Sequence, residues 1–345
     1  MPTEQFETKM FHEAGEAPDR VAAQFQNNTS AINEIAKRLA SDKINMVVTC
    51  ARGSSSHATV YGKYLLERQT GKPVCAFSPS VASVYGAALN LRGAMFLAVS
   101  QSGRSEDLLQ SAKAAKAGGA FTVALTNDSA SPLADLCDVT LPLLAGDETS
   151  VAATKSFICS LTALAHIAFA AGGDDKGLSA LEQLPTHLSQ AWEGEWNAAL
   201  PILQDARNLF VSGRGVGFGI AKEAALKLKE TSGLHAEALS AAELRHGPMA
   251  VVSEGFPILA FVSADESKQS VRELVSFCAS NGAKCLTVGE AVPDALNLDC
   301  PVGDDPRLTP ILQIQRFYRF ANALSLARGK NPDEPPFLKK VTVTV

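Results

Sequence analysis

The chain carries the same short plan twice: an apolar run, a turn of small residues, then a helical stretch. Residues 47–58 read VVTCARGSSSHA and residues 209–221 read LFVSGRGVGFGIA. Residues 96–103, FLAVSQSG, are matched by residues 258–265, ILAFVSAD. Short continuous apolar runs suit strands buried on both faces, and strands alternating with helices indicate parallel βαβ units. Self-similarity over this distance points to a duplicated domain. The expected fold is therefore α/β, with two tandem domains, each a parallel sheet flanked by helices in a flavodoxin-like three-layer arrangement.

With 345 residues the chain is long enough for two such domains. Strands are expected at Ile44–Cys50, Ala94–Val99, Phe121–Leu125 and Val139–Leu143 in the first copy. The second copy places them at Asn208–Ser212, Pro257–Val262, Lys284–Val288 and Leu298–Val302. The expected boundaries are a helical segment at 1–42, a first domain at 43–175, a helical linker at 176–200, a second domain at 201–330 and a tail at 331–345.

Hydrophobic residues make up 46% and charged residues 19%, the balance of a globular protein. A net charge of −5 with no long basic run argues against nucleic acid and membrane surfaces as partners. The seven cysteines are scattered and form no CxxC pair, so neither a disulfide frame nor a thiolate zinc site is expected. No histidine has metal-ligand spacing to an acid or cysteine, and no metal or redox cofactor is expected. The opening MPTEQFETKMFHEAGEA does not read as a signal peptide. No run of ~18 uncharged apolar residues is evident, so a cytoplasmic location is expected.

In open parallel sheets, ligands bind beyond the carboxyl ends of the strands. Two hydroxyl-rich turns, Ala51–Ser56 and Ser100–Ser105, fall there, each opening a helix. Free N–H groups and the helix dipole attract an anion, and Ser54, Ser55, Ser100, Ser102 and Ser105 add O–H donors. Gly53 and Gly103 allow close approach of the backbone. The competing reading is that these serines are ordinary N-caps; two such turns in adjacent βα units favour a phosphate monoester. Neither turn is a P-loop. GRGVGFG is not a dinucleotide fingerprint either, because Phe218 stands where its third glycine belongs. The second copy has Val216, Gly217 and Phe218 near the place of the serines, so one phosphate site per chain is expected, in the first copy.

The segment EAALKLKETSGLHAEALSAAELRHGP starts at Glu223 and includes His246. Glu223, Lys227 and Glu230 stand at i, i+4 and i+7, in one stripe of a helix. Converging with an imidazole, they could move protons on a small polar substrate. The plainer reading is a solvated helix face with an ion pair worth a few tenths of a kcal/mol. Thr149–Lys155 reads as an ordinary capped helix start. The end, from Pro335 through Lys339 and Lys340, reads either as a frayed basic tail or as a tail presenting an amine to a pocket.

Taken together, GSSS, SQSG, VAATKSF, EAALKLKE, HAEALSAAELRHGP and LKKVTV resemble the double sugar-isomerase (SIS) proteins. The likeness covers nearly the whole chain in order. It is most specific to the isomerase half of glucosamine-6-phosphate synthases and to SIS-type glucosamine-6-phosphate deaminases. The resemblance implies two tandem SIS domains. It implies that Ser55, Ser100, Gln101, Ser102 and Ser105 hold phosphate and nearby hydroxyls, beside Gly53 and Ser54 of the turn read above, and that Val151, Ala153 and Thr154 border the sugar. Glu230 matches the base for proton transfer between C1 and C2. His246 matches a ring-opening histidine that completes the neighbouring subunit's site, which implies a homodimer. Glu223 and Lys227 match supporting residues, and Lys340 matches a tail lysine at the carbonyl carbon, with Lys339 competing for that role.

Three departures matter. No N-terminal glutaminase domain with a leading cysteine is present, so glutamine is not expected as the ammonia source. The turn reads SQSGRS where the synthases have SQSGET, and Pro336 replaces an arginine of the tail. These departures resemble the stand-alone deaminases. The implied activity is conversion of glucosamine 6-phosphate and water to fructose 6-phosphate and ammonia. A 6-phosphofructosamine deglycase, a galactosamine-6-phosphate deaminase and a non-catalytic sugar-phosphate sensor are the alternatives.

Overall fold

The structure, a computed structural model, describes residues 8–340. In chain order the strands are β1 (Met46–Ala51), β2 (Val74–Ala76), β3 (Ala94–Ser100), β4 (Phe121–Thr126), β5 (Val139–Pro142), β6 (Asn208–Gly213), β7 (His235–Ser240), β8 (Pro257–Phe261), β9 (Lys284–Val288) and β10 (Leu296–Leu298). The helices are α1 (Lys9–Gly15), α2 (Ala17–Asn27), α3 (Thr29–Ala40), α4 (Gly53–Thr70), α5 (Ser80–Ser83), α6 (Glu106–Ala117), α7 (Pro132–Leu136), α8 (Lys155–Gly172), α9 (Asp175–Glu193), α10 (Leu200–Leu203), α11 (Gly217–Ser232), α12 (Ala241–Leu244), α13 (Lys268–Ser280) and α14 (Thr309–Ala327). Two five-stranded sheets result, ordered β2-β1-β3-β4-β5 and β7-β6-β8-β9-β10. Every pairing in both is parallel.

The chain divides into two compact units. Among the described residues, the one built on the first sheet holds Asp19–Glu148, Ser156–Glu182 and Lys339 with Lys340. Its central strand β3 is buried at every position, as an uninterrupted apolar run between helices demands. The β1–β3 register runs from Met46↔Ala94 to Ala51↔Val99. Val48, Phe96, Leu108, Ala112 and Leu133 belong to the core that joins the sheet to α6 and α7. Fully buried Phe96 alone contributes on the order of 1.5–3 kcal/mol.

The unit built on the second sheet holds, among the described residues, Thr8–Pro18, Thr149–Lys155 and Gln183–Leu338. Ile258, Ala260, Val271, Leu274 and Val275 bury the contact between β8 and α13. The helix α14 is buried along most of its length. It packs on the sheet through Phe317, whose ring lies 6.0 Å from that of Phe261. It is tied to α11 by the Ser325 hydroxyl, which donates to the Thr231 carbonyl at 2.7 Å. The helix α11 stops where Gly233 turns left-handed, φ 58°, and its N–H bonds to the Leu228 carbonyl.

Three sequence expectations are corrected. The last strand is Leu296–Leu298, not Leu298–Val302; Pro301 has no N–H to give a ladder. Strands β2 and β7 carry no strong apolar pattern and were not anticipated; both are sheet edges, half exposed to solvent. Finally, α8 is long and apolar enough by length and composition to cross a membrane, although the sequence suggested no such segment. Its apolar average tolerates Lys155 and His166, and 78% of the stretch is buried inside the protein. The first seven residues and the last five lie outside the described residues, as does the end of the LKKVTV motif.

Candidate functional site

Two turns meet the carboxyl edge of the first sheet. The strand order β2-β1-β3 reverses between β1 and β3, the place where open α/β sheets leave a crevice. After β1, Arg52 is extended and Gly53 opens α4 with φ +51°. A Cβ on Gly53 would meet nothing within 4 Å, so this turn faces open space. Ser54 and Ser55 lie in the first helical turn, partly exposed, where backbone N–H groups have no intrahelical acceptor. Arg52 points elsewhere, with its Nε 2.7 Å from buried Asp107.

After β3, buried Ser100 accepts the Gly103 N–H at 3.1 Å. Ser102 accepts the Arg104 N–H at 3.3 Å. The Gln101 carbonyl accepts from the Asn127 N–H at 3.2 Å. Gly103, φ +62°, is wedged so tightly that a Cβ would lie 2.2 Å from the Ser131 hydroxyl. Ser105 precedes α6 with no capping bond from its side chain. Arg104 is held out by Asp128 at 2.7 Å, and that arginine keeps the Asp128 carboxyl below its usual range. The structure thus gathers Gly53, Ser54, Ser55, Ser100, Gln101, Ser102 and Ser105 on two neighbouring turns.

The stripe on α11 belongs to the other unit. The solvated-face reading is overturned: Glu223 and Lys227 are fully buried, and only Glu230 is partly exposed. Sequence periodicity placed the charges on one face, but α14 covers that face; the Tyr318 hydroxyl lies 3.4 Å from Glu223. The Lys227 ammonium stands 3.4 Å from Glu223 and hydrogen bonds directly to Glu230. Burial alone would lower the lysine's pKa. The two carboxylates outweigh it and raise it from 10.5 to about 12. Lys227 is therefore a fixed cation at neutral pH, and Glu230 is the member of the trio with access to solvent.

His246 sits on an exposed turn after α12, beside Gly247 at φ +134°. Among the described residues its ring has no hydrogen-bond partner, so the structure does not join it to Glu230. The 149–155 segment is more than a capped helix start, which corrects the sequence reading. Buried Glu13 of α1 accepts from the backbone N–H and hydroxyl of both Thr149 and Ser150. Buried Lys155 pairs with Glu16 at 2.9 Å. This framework holds Val151, Ala153 and Thr154 in place, with Thr154 buried.

Of the two tail lysines, Lys339 is exposed, whereas Lys340 lies 3.0 Å from the buried carboxylate of Glu148. Sequence reasoning missed Glu148, Glu13 and Tyr318. None of the three left a local signal, because each is marked by a contact made across a long stretch of chain. Among the described residues no group of three or more His, Cys, Asp or Glu side chains is placed to hold a metal ion.

The architecture is that of a double α/β protein, with two hydroxyl-bearing turns at the carboxyl edge of its first sheet. The SIS domain profile matches residues 39–170 and 202–300, and the chain belongs to the SIS domain family. It is 34% identical over 323 residues to a glutamine–fructose-6-phosphate aminotransferase (isomerizing) of Aeropyrum pernix, covering 85% of this chain and 50% of that protein. The chain spans about half the length of the curated relatives it matches. A solved structure of a candidate phosphosugar isomerase from Silicibacter pomeroyi is 38% identical, with a TM-score of 0.91, covering 95% of this chain and 100% of that one. Glucosamine-6-phosphate deaminase of Thermotoga maritima shares the fold at 23% identity and a TM-score of 0.78, covering 98% and 100%.

Proposed function

We propose that the chain is an aldose–ketose isomerase acting on an amino sugar phosphate, and that it converts glucosamine 6-phosphate and water to fructose 6-phosphate and ammonia. The observation that carries this reading is the buried Glu223–Lys227–Glu230 trio, which fixes one cation beside one accessible carboxylate. Such a pair suits proton abstraction next to a carbonyl. The open turn at Gly53 and the hydroxyls of Ser55, Ser100, Ser102 and Ser105 suit a phosphate monoester. The relatives' names support the substrate class.

His246 would open the pyranose by moving the C1 hydroxyl proton to the ring oxygen, each subunit's histidine serving its neighbour in a homodimer. Glu230 would take the C2 proton, leaving an enolamine, and return it to C1. The C2 iminium so formed would add water, and ammonia would leave as the C2 carbonyl forms. Lys227 or Lys340 would stabilise negative charge on oxygen during enolisation. Holding the phosphate limits the motion of the reacting carbons, so binding far from C1 and C2 serves the chemistry.

The test incubates purified protein with glucosamine 6-phosphate and measures ammonia and fructose 6-phosphate together. Both products in equal amounts are expected. Neither product would defeat the proposal; ammonia with tagatose 6-phosphate from galactosamine 6-phosphate alone, or glucose 6-phosphate with the released amine from a 6-phosphofructosamine alone, would reassign the substrate.

A further inference from the structure

The buried acid Glu148 has no part in the reaction as set out above, and its surroundings are unusual. It lies midway along the loop between β5 and α8, and its side chain is fully buried. One carboxylate oxygen accepts the Ser156 backbone N–H at 3.1 Å, at the start of α8. The other accepts the Ser156 hydroxyl at 2.6 Å and the Lys340 ammonium at 3.0 Å. All three residues belong to the unit of the first sheet. A buried carboxylate left without a cation is strongly disfavoured. Lys340, which sets an ammonium beside it, stands 192 positions away along the chain. Lys340 keeps 24% of its side-chain surface, so the pair is closed on one side and open on the other. The neighbouring Lys339 and Leu338 are exposed, so apolar packing by those two residues does not account for where Lys340 lies.

We propose that Glu148 is a positioning residue that docks the C-terminal tail through Lys340 and so sets where that ammonium is presented. Ser156 holds the carboxylate on the rigid end of α8, and the carboxylate holds the lysine. The docking stands on the contacts alone. Its use in catalysis rests on the proposed isomerase chemistry, in which Lys340 faces developing negative charge on the sugar.

Two readouts on the full chain separate these claims. The first is acetylation of lysines by an N-hydroxysuccinimide ester, followed residue by residue by mass spectrometry. An ammonium held by a carboxylate is a poor nucleophile, so Lys340 should react about tenfold more slowly than Lys339 in the native protein. Glu148→Gln keeps an oxygen for the Ser156 N–H but removes the charge, and should bring the two rates within about twofold. Glu148→Asp, which keeps the charge and shortens the reach, should give an intermediate rate. Thermal melting identifies any variant that fails to fold, and the Asp variant then carries the test.

The second readout is turnover. Glu148→Gln should lower kcat about tenfold with little change in KM, and the loss should not add to that of Lys340→Ala. Unchanged slow labelling of Lys340 in a folded Glu148→Gln protein would overturn the docking. Released labelling with unchanged kcat, or fully additive losses, would overturn the positioning role. Native protein that turns over no amino sugar phosphate would fail the proposed function, while the labelling would still decide the dock.

Discussion

The two sheets share one strand plan and differ at their turns. The order β2-β1-β3-β4-β5 is repeated as β7-β6-β8-β9-β10, and the bend after the first strand of each unit has a glycine at nearly the same φ, +51° at Gly53 and +57° at Gly215. Around Gly53 there is open space. The second turn is filled: a Cβ on Gly217 would sit 2.5 Å from the Ser263 hydroxyl, and one on Gly213 would sit 2.7 Å from the Gly217 carbonyl. The next turn differs in charge. Where the first copy has Ser100, Ser102 and Gly103, the second has Val262, Ala264 and the buried carboxylate of Asp265. A carboxylate in that place repels an anion. The second copy instead puts its charged groups on the face of α11 and buries all of Glu223 and Lys227, leaving Glu230 partly exposed. Duplication preserved the scaffold, while small side chains and one charge decided which edge stayed open.

The strongest way to break this contrast is at Glu230. If the second copy supplies the proton chemistry, Glu230→Gln should lower kcat by on the order of 10²–10⁴ and leave sugar-phosphate affinity nearly unchanged. Full turnover in that variant would remove the second copy's helix from the reaction. Next is Lys227→Met, which leaves Glu223 buried without its cation and should cost about 3–5 kcal/mol of stability in denaturant unfolding. The raised pKa adds a pH signature. A lysine whose pKa is higher folded than unfolded lends stability that is complete below its ordinary value of 10.5 and is lost as pH rises through about 12. The Lys227→Met protein should lack that alkaline decline, and an identical decline in both proteins would show that the trio is not what titrates.

The hydroxyl turns give a smaller effect and a paired control. Ser102→Ala should raise KM about tenfold with kcat nearly constant, whereas Ser263→Ala, at the filled turn, should change KM less than about twofold. Equal effects at the two serines would erase the distinction between the copies.

The same contrast explains what could be read in advance. The inner strands were legible because strands buried on both faces are written as continuous apolar runs, as in Ala94–Val99. The edges β2 and β7 were not, because a half-exposed edge needs little apolar sequence. The α11 spacing placed Glu223, Lys227 and Glu230 on one face, but their burial is set by Tyr318 and its helix, some 95 residues away. The dock of Lys340 on Glu148 is likewise a product of tertiary structure: neither residue has a local pattern that names the other.

The smallest expected effect concerns acid stability on the outer side of the first sheet. Asp138, just before β5, accepts from the Thr122 N–H at 2.8 Å and hydroxyl at 2.9 Å, and pairs with Lys116 at 2.9 Å. Burial alone would raise its pKa. The Lys116 and Thr122 bonds prevail and hold it below the usual 3.8. A carboxyl depressed in the folded state lends stability that is present above its unfolded value and lost as pH falls through the folded one. In the second unit Glu290, after β9, is depressed by Lys268 and Arg272 without a backbone donor among its partners. Melting temperature followed from pH 7 downward should therefore fall below about pH 4 in the native protein. Asp138→Asn should flatten that fall more than Glu290→Gln does, because Asp138 also ties two strands of its sheet together. A larger change from Glu290→Gln would locate the acid-sensitive contact in the second copy instead.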